Sequence, residues 1–538
     1  MLLIASSISE GFAADAPGKT PGEIFANSAP ANGGRGILFQ ENYSGFLSVG
    51  YIRYSHTPTF DSNGKIDPSD YWNWRLCSSW SDSKCEPRTG YSLEGFVFLG
   101  KCLSEVEIGC IQSLRMRSAD GIQSELAYVG PAMESIVDIP ENRALNIPRS
   151  STQALFKDDN SSLYMVRALI FYIVDGSGIV KPKLDVDVYP VLKIADPTVK
   201  KPEPVVLKSP ESGLGIVTVA NVRKDCLAIT EGICYKQGAT NLESQVSLTL
   251  RLPKEITGWF KGRLMSPTIT VNRFSATSNL VVVTANSVAM PVMGGWVTYD
   301  DLPSDFITKL YPSLALPNRR DQKFELIADS SSGSRAFEEF SAWAPYLKDK
   351  ALATTDIWSF GTNFSPSKSR CMNDTISIGG LVTTNASVYS SEPPTWNPEL
   401  MTLDYKIAAP HFNPAGEVNV GTYTLAISND VIKCLYGLGQ LPAYATVSIV
   451  YGETTTNIGT IAVGSKAGWS YFSADGFHFS TPTIRVKFAD PNRVSIAAPA
   501  NQANKVIWCA KGNAKKKITA LKPTCPKGYK KIADPTKR

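Results

Sequence analysis

Residues 183–194, KLDVDVYPVLKI, alternate apolar and polar side chains up to Val188. Leu184, Val186 and Val188 fall on one side, and Asp185 and Asp187 on the other. An extended chain sends successive side chains to opposite faces, whereas a helix would scatter this pattern around its axis. The stretch therefore reads as a strand with one buried face. Before it, ALIFYIVDG (168–176) is a second strand candidate that ends in a turn. Downstream, YATVSIVYG (444–452), NIGTIAVG (457–464), WSYFSADGFHFS (469–480) and TPTIRVKF (481–488) follow one another between turns. Short strands at such spacing are the pattern of a β-sandwich. The expected fold class is all-β: tandem immunoglobulin-like β-sandwich domains, one short connecting helix and a small disulfide-tied C-terminal hairpin.

Composition agrees with strands and turns. The 538 residues are 43% hydrophobic and 10% aromatic but only 19% charged. A chain of that length holds about three or four domains. The expected partition is a signal-peptide remnant at 1–13, a flexible lead at 14–44 and a first β domain at 45–195. A Pro-rich linker at 196–213, a second β-sandwich at 214–333 and a helical connector at 334–355 follow. A third β-sandwich occupies 356–495, and a basic module 505–538. The connector rests on SRAFEEFSAWAPYLKDK (334–350), where Phe337, Phe340, Trp343, Ala344 and Leu347 share one helical face and Pro345 ends or kinks it. The uncharged stretch 274–299 is broken by Asn279, Thr284, Asn286, Ser287 and Pro291, so it reads as two strands, with no transmembrane anchor expected.

The ten cysteines form close pairs. Cys77/Cys85, Cys102/Cys110 and Cys226/Cys234 share a spacing of eight, Cys509/Cys525 lie farther apart, and Cys371 and Cys434 remain. Zinc sites would need C-x2-C spacings or histidine partners, and there are only three histidines. The pairs read as five disulfides, formed in an oxidising compartment. The apolar run 2–8 and the small residues before Ala14 fit the end of a secretion signal. The expected localisation is secreted or cell-surface. CLSEVEIGC (102–110) and CLAITEGIC (226–234) also echo each other, and each precedes a similar strand, IQSLRMRS or QVSLTLRL. That matched context suggests a duplicated unit.

Several stretches resemble uncharacterised secreted actinobacterial proteins. LDYKIAAPHFNPAGEVNVGTYTLAISNDVIKCLYGLG (403–439) and GWSYFSADGFHFSTPTIRVKF (468–488) look like a C-terminal region of that group. LRLPKEITGWFKGRLMSPTITV (250–271) and LKDKALATTDIWSF (347–360) resemble the same proteins. CAKGNAKKKITALKPTCPKGYKK (509–531) is similar to a basic, Cys-containing module at the ends of many of them. The resemblance covers roughly 214–535 and implies export and a β-rich fold. It implies no catalytic residues.

Motifs for common chemistries are missing: H-E-x-x-H, G-x-S-x-G, G-x-x-x-x-G-K-[ST] and G-x-G-x-x-G do not occur. Asp185 and Asp187 form a paired-carboxylate candidate on one strand face, or a solvated outer face. FDSNGKIDPSDYW (60–72) offers Asp61, Asn63, Asp67 and Asp70 as oxygen donors around Gly64, a possible calcium loop and the only cofactor considered. Beside it, Tyr71, Trp72, Trp74 and Trp80 cluster, with Trp80 inside the Cys77/Cys85 loop. Flat rings held by a disulfide can stack on sugars, or simply pack a core.

The charge is uneven. Of a net +5, residues 505–538 hold eleven Lys or Arg against one acid, Asp534, leaving the rest of the chain acidic. Lys511, Lys515, Lys516, Lys517, Lys522, Lys527, Lys530 and Lys531 are the candidate anionic-surface ligands. VIWCAKG and KKKITAL read as a hairpin turning at Gly512-Asn513, with Trp508, Ile518 and Tyr529 as a small core. Cell-envelope polyanions or glycans are the expected partners. Nucleic acid is not, because an exported protein rarely meets it and stacking aromatics are few here. The expected function is a non-catalytic, surface or wall-associated protein with a binding or structural role, glycan- or adhesion-related. The rival is a secreted carbohydrate-active enzyme whose carboxylate pair only folding assembles. Oligomeric state has no signature in the sequence.

Overall fold

The computed structural model describes residues 21–488 and 505–532 except for internal stretches, the longer being 40–49, 57–74, 134–138, 209–214, 239–244, 311–323, 328–333, 363–368 and 438–443. The chain is mostly β, as its alternating sequence dictates, and folds into two units, 1–488 and 489–538.

One fifteen-stranded sheet dominates the first unit. Its path runs Arg75–Cys77, Tyr51–His56, Tyr91–Phe98, Leu163–Val174, Lys183–Ala195, Ser359–Thr362, Gly258–Arg263, Ile378–Thr384, Val420–Ser428, Trp469–His478 and Ser465–Lys466. Neighbours along it are antiparallel except Gly258–Arg263 with Ile378–Thr384, which run parallel. Strands from all three expected β domains thus pair in a single sheet. The boundaries drawn at 196–213 and 334–355 do not partition it. Inside the first of these, Glu203–Lys208 is itself a strand, paired with Gly215–Ala220.

The central sheet buries both faces over part of its length. On one side Ile170, Val186 and Phe260 share a core with Leu248, Leu250 and Val283 of a five-stranded sheet. That sheet holds Met265–Arg273, Ser278–Asn286, Gln245–Pro253, Cys110–Arg117 and Gln123–Glu125. On the other side Trp259, Tyr423, Leu425 and Phe472 pack against Leu403, Tyr405, Val447 and Ile484 of a six-stranded sheet. Each such side chain removed from water contributes about 1.5–3 kcal/mol against chain entropy, so these layers hold the unit together.

A four-stranded sheet of Phe324–Ile327, Gly34–Phe39, Val288–Val297 and Ala353–Ile357 carries the connecting helix. The helix spans Ser334–Trp343, short of Pro345, and its Phe337, Phe340 and Trp343 pack with Ile37, Phe39, Met293 and Val297. The docked aromatic stripe is as expected from its spacing. The lead at 14–44 is not flexible throughout: Pro21–Asn27 is helical, Gly34–Phe39 is paired on both edges, and Phe25 stacks on Trp296 with ring centres 4.7 Å apart. Apolar Phe25, Ile37, Leu38 and Phe39 supply the burial that the Gly- and Pro-rich composition around them conceals. The uncharged stretch forms Ser278–Asn286 and Val288–Val297, which belong to different sheets. Among the described residues no helix is long and apolar enough to cross a membrane.

All five expected disulfides are present, and no cysteine is free. Cys371–Cys434 ties two helices, Arg370–Asn373 and Asn429–Tyr436, to each other. In NDVIKCLY, Val431, Ile432 and Tyr436 recur at helical spacing and are buried, Ser428 caps the start, and Gly437 closes the end in a left-handed conformation.

Candidate functional site

In the second unit Lys505–Lys511, Ala514–Ala520 and Lys530–Ile532 form a three-stranded sheet with Lys505–Lys511 at its centre. Gly512 adopts φ 56° in the tight turn, a conformation that a side chain resists. Cross-strand partners share a face. Cys509 is level with Lys516 and Lys531, and Ala510 with Lys515 and Lys530. The Cys509 face is covered: the Cys509–Cys525 bond crosses it, Lys516 lies 5.5 Å from the Tyr529 ring centre, and Lys511 runs over Gly528. The Ala510 face carries half-buried Trp508 and Ile532. The expected core of Trp508, Ile518 and Tyr529 is therefore divided: Tyr529 lies by the Cys509 face and Trp508 on the other, buried Cys509 is the centre, and the Ile518 side chain lies outside the described residues.

Lys511, Lys515, Lys516, Lys530 and Lys531 are exposed. Residues 505–532 contain no Asp or Glu. Such a small sheet has little apolar area to bury, and the disulfide offsets that by restricting the unfolded chain. The result is a folded surface whose charge has one sign. The side chain of Lys517 and the whole of Lys522 and Lys527 lie outside the described residues.

The aromatic and calcium candidates fare differently. Asp61, Asn63, Asp67, Asp70, Tyr71, Trp72 and Trp74 lie outside the described residues. Trp80 does not present its ring to a ligand: it is 6% exposed, within the main core. Its ring lies against Gly95, where a Cβ would come within 2.0 Å of it, and meets Tyr172 edge-on at 5.9 Å. The Cys77–Cys85 loop folds the indole inward. Asp82 fastens that loop by accepting hydrogen bonds from Ser78 N, Ser78 Oγ and Lys84 N, which hold its carboxyl down at about 2.

Asp185 and Asp187 do share a face, on which Asp185 is exposed and Asp187 is buried. Arg167, on the neighbouring strand, donates from Nε to Asp187 at 2.7 Å and from Nη2 to Asp185 at 2.6 Å. Asp187 is buried between two outer clusters, one around Met165 and Tyr189 and the other around Phe98 and Leu169. Burial pushes its carboxyl up, with Arg167 pulling the other way. The Arg167 guanidinium thus pairs with both carboxylates. His411 has its Nδ1 2.7 Å from the Phe479 carbonyl oxygen and its ring edge-on to Phe412.

The 102–110 loop projects two apolar side chains that sequence reasoning passed over. Leu103 is 85% and Val106 83% exposed. Buried Arg251 holds the loop from beneath, donating Nη1 to the carbonyls of Ser104, Glu105 and Glu107 at 2.8, 2.9 and 3.2 Å. Its Nε reaches Gln112 Oε1 at 2.8 Å, and Phe274 lies 4.5 Å away. An arginine within the otherwise uncharged QVSLTLRL was the available signal. No family model, curated protein or solved structure matches the chain.

Proposed function

We propose that this chain is an exported, non-catalytic protein of a cell surface or wall. Its work is binding or structural, in adhesion or glycan contact, and its cationic C-terminal module retains it on anionic polymers of the envelope. The observation that carries the reading is the module itself: exposed lysines on a disulfide-tied sheet without one carboxylate between 505 and 532. Five disulfides with no free cysteine suit an oxidising compartment. The resemblance to exported actinobacterial proteins with a basic end points the same way. Many weak contacts to phosphate or carboxylate groups hold such a module, and salt weakens them because screening acts over about 8–10 Å at physiological ionic strength.

The test is binding of the full chain to isolated cell walls at low salt and at roughly 0.5 M salt. A full-length variant with Lys511, Lys515, Lys516, Lys530 and Lys531 changed to Gln is the comparison. The wild type binds at low salt and is released at high salt, while the variant stays free in both. Equal binding by the two, or salt-insensitive binding of the wild type, overturns retention by the tail. Fractionation of expressing cells checks export directly.

A further inference from the structure

We infer that the tail binds its polyanion through one face of its sheet, the Ala510 face, and that the occupant is an anionic polysaccharide chain. This rests on the retention reading and adds a location and a ligand class to it. Among the described residues the two faces carry similar charge but differ in what covers them. On the Cys509 face the disulfide to Cys525, Tyr529 and Gly528 already occupy the centre, and Lys516 lies over the tyrosine ring. On the other face Ala510, whose side chain is a single methyl, lies between exposed Lys515 and Lys530 in one cross-strand row.

Adjacent strands lie about 4.8 Å apart, so those lysines leave the outer strands roughly 10 Å from each other, with a shallow floor between. Trp508 lies two residues along the central strand on the same side, about 7 Å from Ala510, and is half-buried. A floor with cations on both rims and an indole at one end suits a chain that offers carboxylates or other anions at intervals and apolar ring faces between them. An anionic glycan has both features. Inorganic polyphosphate has the charge without the rings. Nucleic acid has both too, but the five disulfides fit an oxidising compartment, where it is scarce.

The experiment compares two full-length double variants that lose the same charge. Lys515→Gln/Lys530→Gln alters the Ala510 face, and Lys516→Gln/Lys531→Gln alters the Cys509 face. The probes are polygalacturonate and polyphosphate, titrated at low salt. The first variant weakens polygalacturonate binding about tenfold, and the second by less than about threefold. Trp508→Leu keeps apolar bulk but removes the flat ring. It weakens polygalacturonate about tenfold and leaves polyphosphate unchanged, whereas Trp508→Phe restores most of the glycan affinity. Circular dichroism and an intact Cys509–Cys525 bond establish that each variant is folded. Equal losses from the two double variants overturn the face while leaving charge-based retention standing. If wild type fails to bind either polymer, retention falls and the face with it. A Trp508→Leu loss equal for both polymers, or tighter binding of single-stranded DNA than of polygalacturonate, overturns the glycan assignment.

Discussion

The Cys102–Cys110 and Cys226–Cys234 loops begin with the same dipeptide and close at the same spacing, yet the fold uses them in opposite ways. CLAITEGIC forms a hairpin of Ala228–Thr230 with Ile233–Gln237, docked on the end of Lys183–Ala195. Ile229 is 0% exposed there and packs with Val199 and the two sulfurs. CLSEVEIGC is not a hairpin. It arches over Arg251, with Leu103 and Val106 outward, Leu103 N bound to Glu107 Oε2, and Gly109 N to the Arg251 carbonyl at 2.7 Å. The strands after the loops, IQSLRMRS and QVSLTLRL, pair directly with each other, Leu114 opposite Leu248. Likeness of sequence therefore marks two neighbouring strands of one sheet. A disulfide fixes the ends of a loop but not the face it shows. What lies beneath decides that: an apolar sheet end in one case and a buried cation in the other.

The largest test of that contrast uses the third loop of this spacing. Trp80→Ala should cost about 3–5 kcal/mol in chemical unfolding, because the indole of the Cys77–Cys85 loop fills core space above Gly95. A loss below about 0.5 kcal/mol would place the ring at the surface and reopen the ligand reading. Next, Ile229→Ala should cost about 2–5 kcal/mol, which marks the 226–234 loop as core. Arg251→Ala should cost about 2 kcal/mol by leaving three carbonyls without their cationic donor. In hydrogen exchange it should speed the amides of 102–110 while leaving those of 226–234 unchanged. Uniform acceleration of both loops would mean that Arg251 supports the whole sheet and not one loop.

Leu103→Ser should change stability by no more than about 0.5 kcal/mol, since the side chain is already in water. A large loss would show that something of the chain covers it in solution. The smallest effect is in pH. The Asp82 carboxyl is lowered by its backbone hydrogen bonds to Ser78 and Lys84, from 3.8 to about 2. The sign follows from a depressed folded-state value: the stabilisation is present above about 3.8 and is lost as pH falls through about 2. Protection of the Ser78 and Lys84 amides should fall in that window, and Asp82→Asn should abolish that pH dependence.

Strand content, the docked helix at Ser334–Trp343, five disulfide pairings and the Gly512 turn were all legible in the sequence. Apart from Cys371–Cys434, which was left over once the closer cysteines were paired, each rests on residues near one another in the chain, where period, spacing and turn chemistry act directly. The remainder depended on pairings between distant segments. The linker composition at 196–213 is real, yet strands on both sides of it join one sheet, because hydrogen-bonded edges are matched by the whole fold. Asp187 alternates like a solvated residue, but outer-face clusters on Leu163–Val174 and Lys183–Ala195 bury it beside Arg167. Trp80 has the same type and spacing whether it faces a sugar or a core, and only the bare Cα of Gly95, fifteen residues on, made room for it inside. The charge of the tail was set by sequence alone. Which lysines share a face, and which face the disulfide segment covers, followed from the register of three strands and the position of one sulfur bridge.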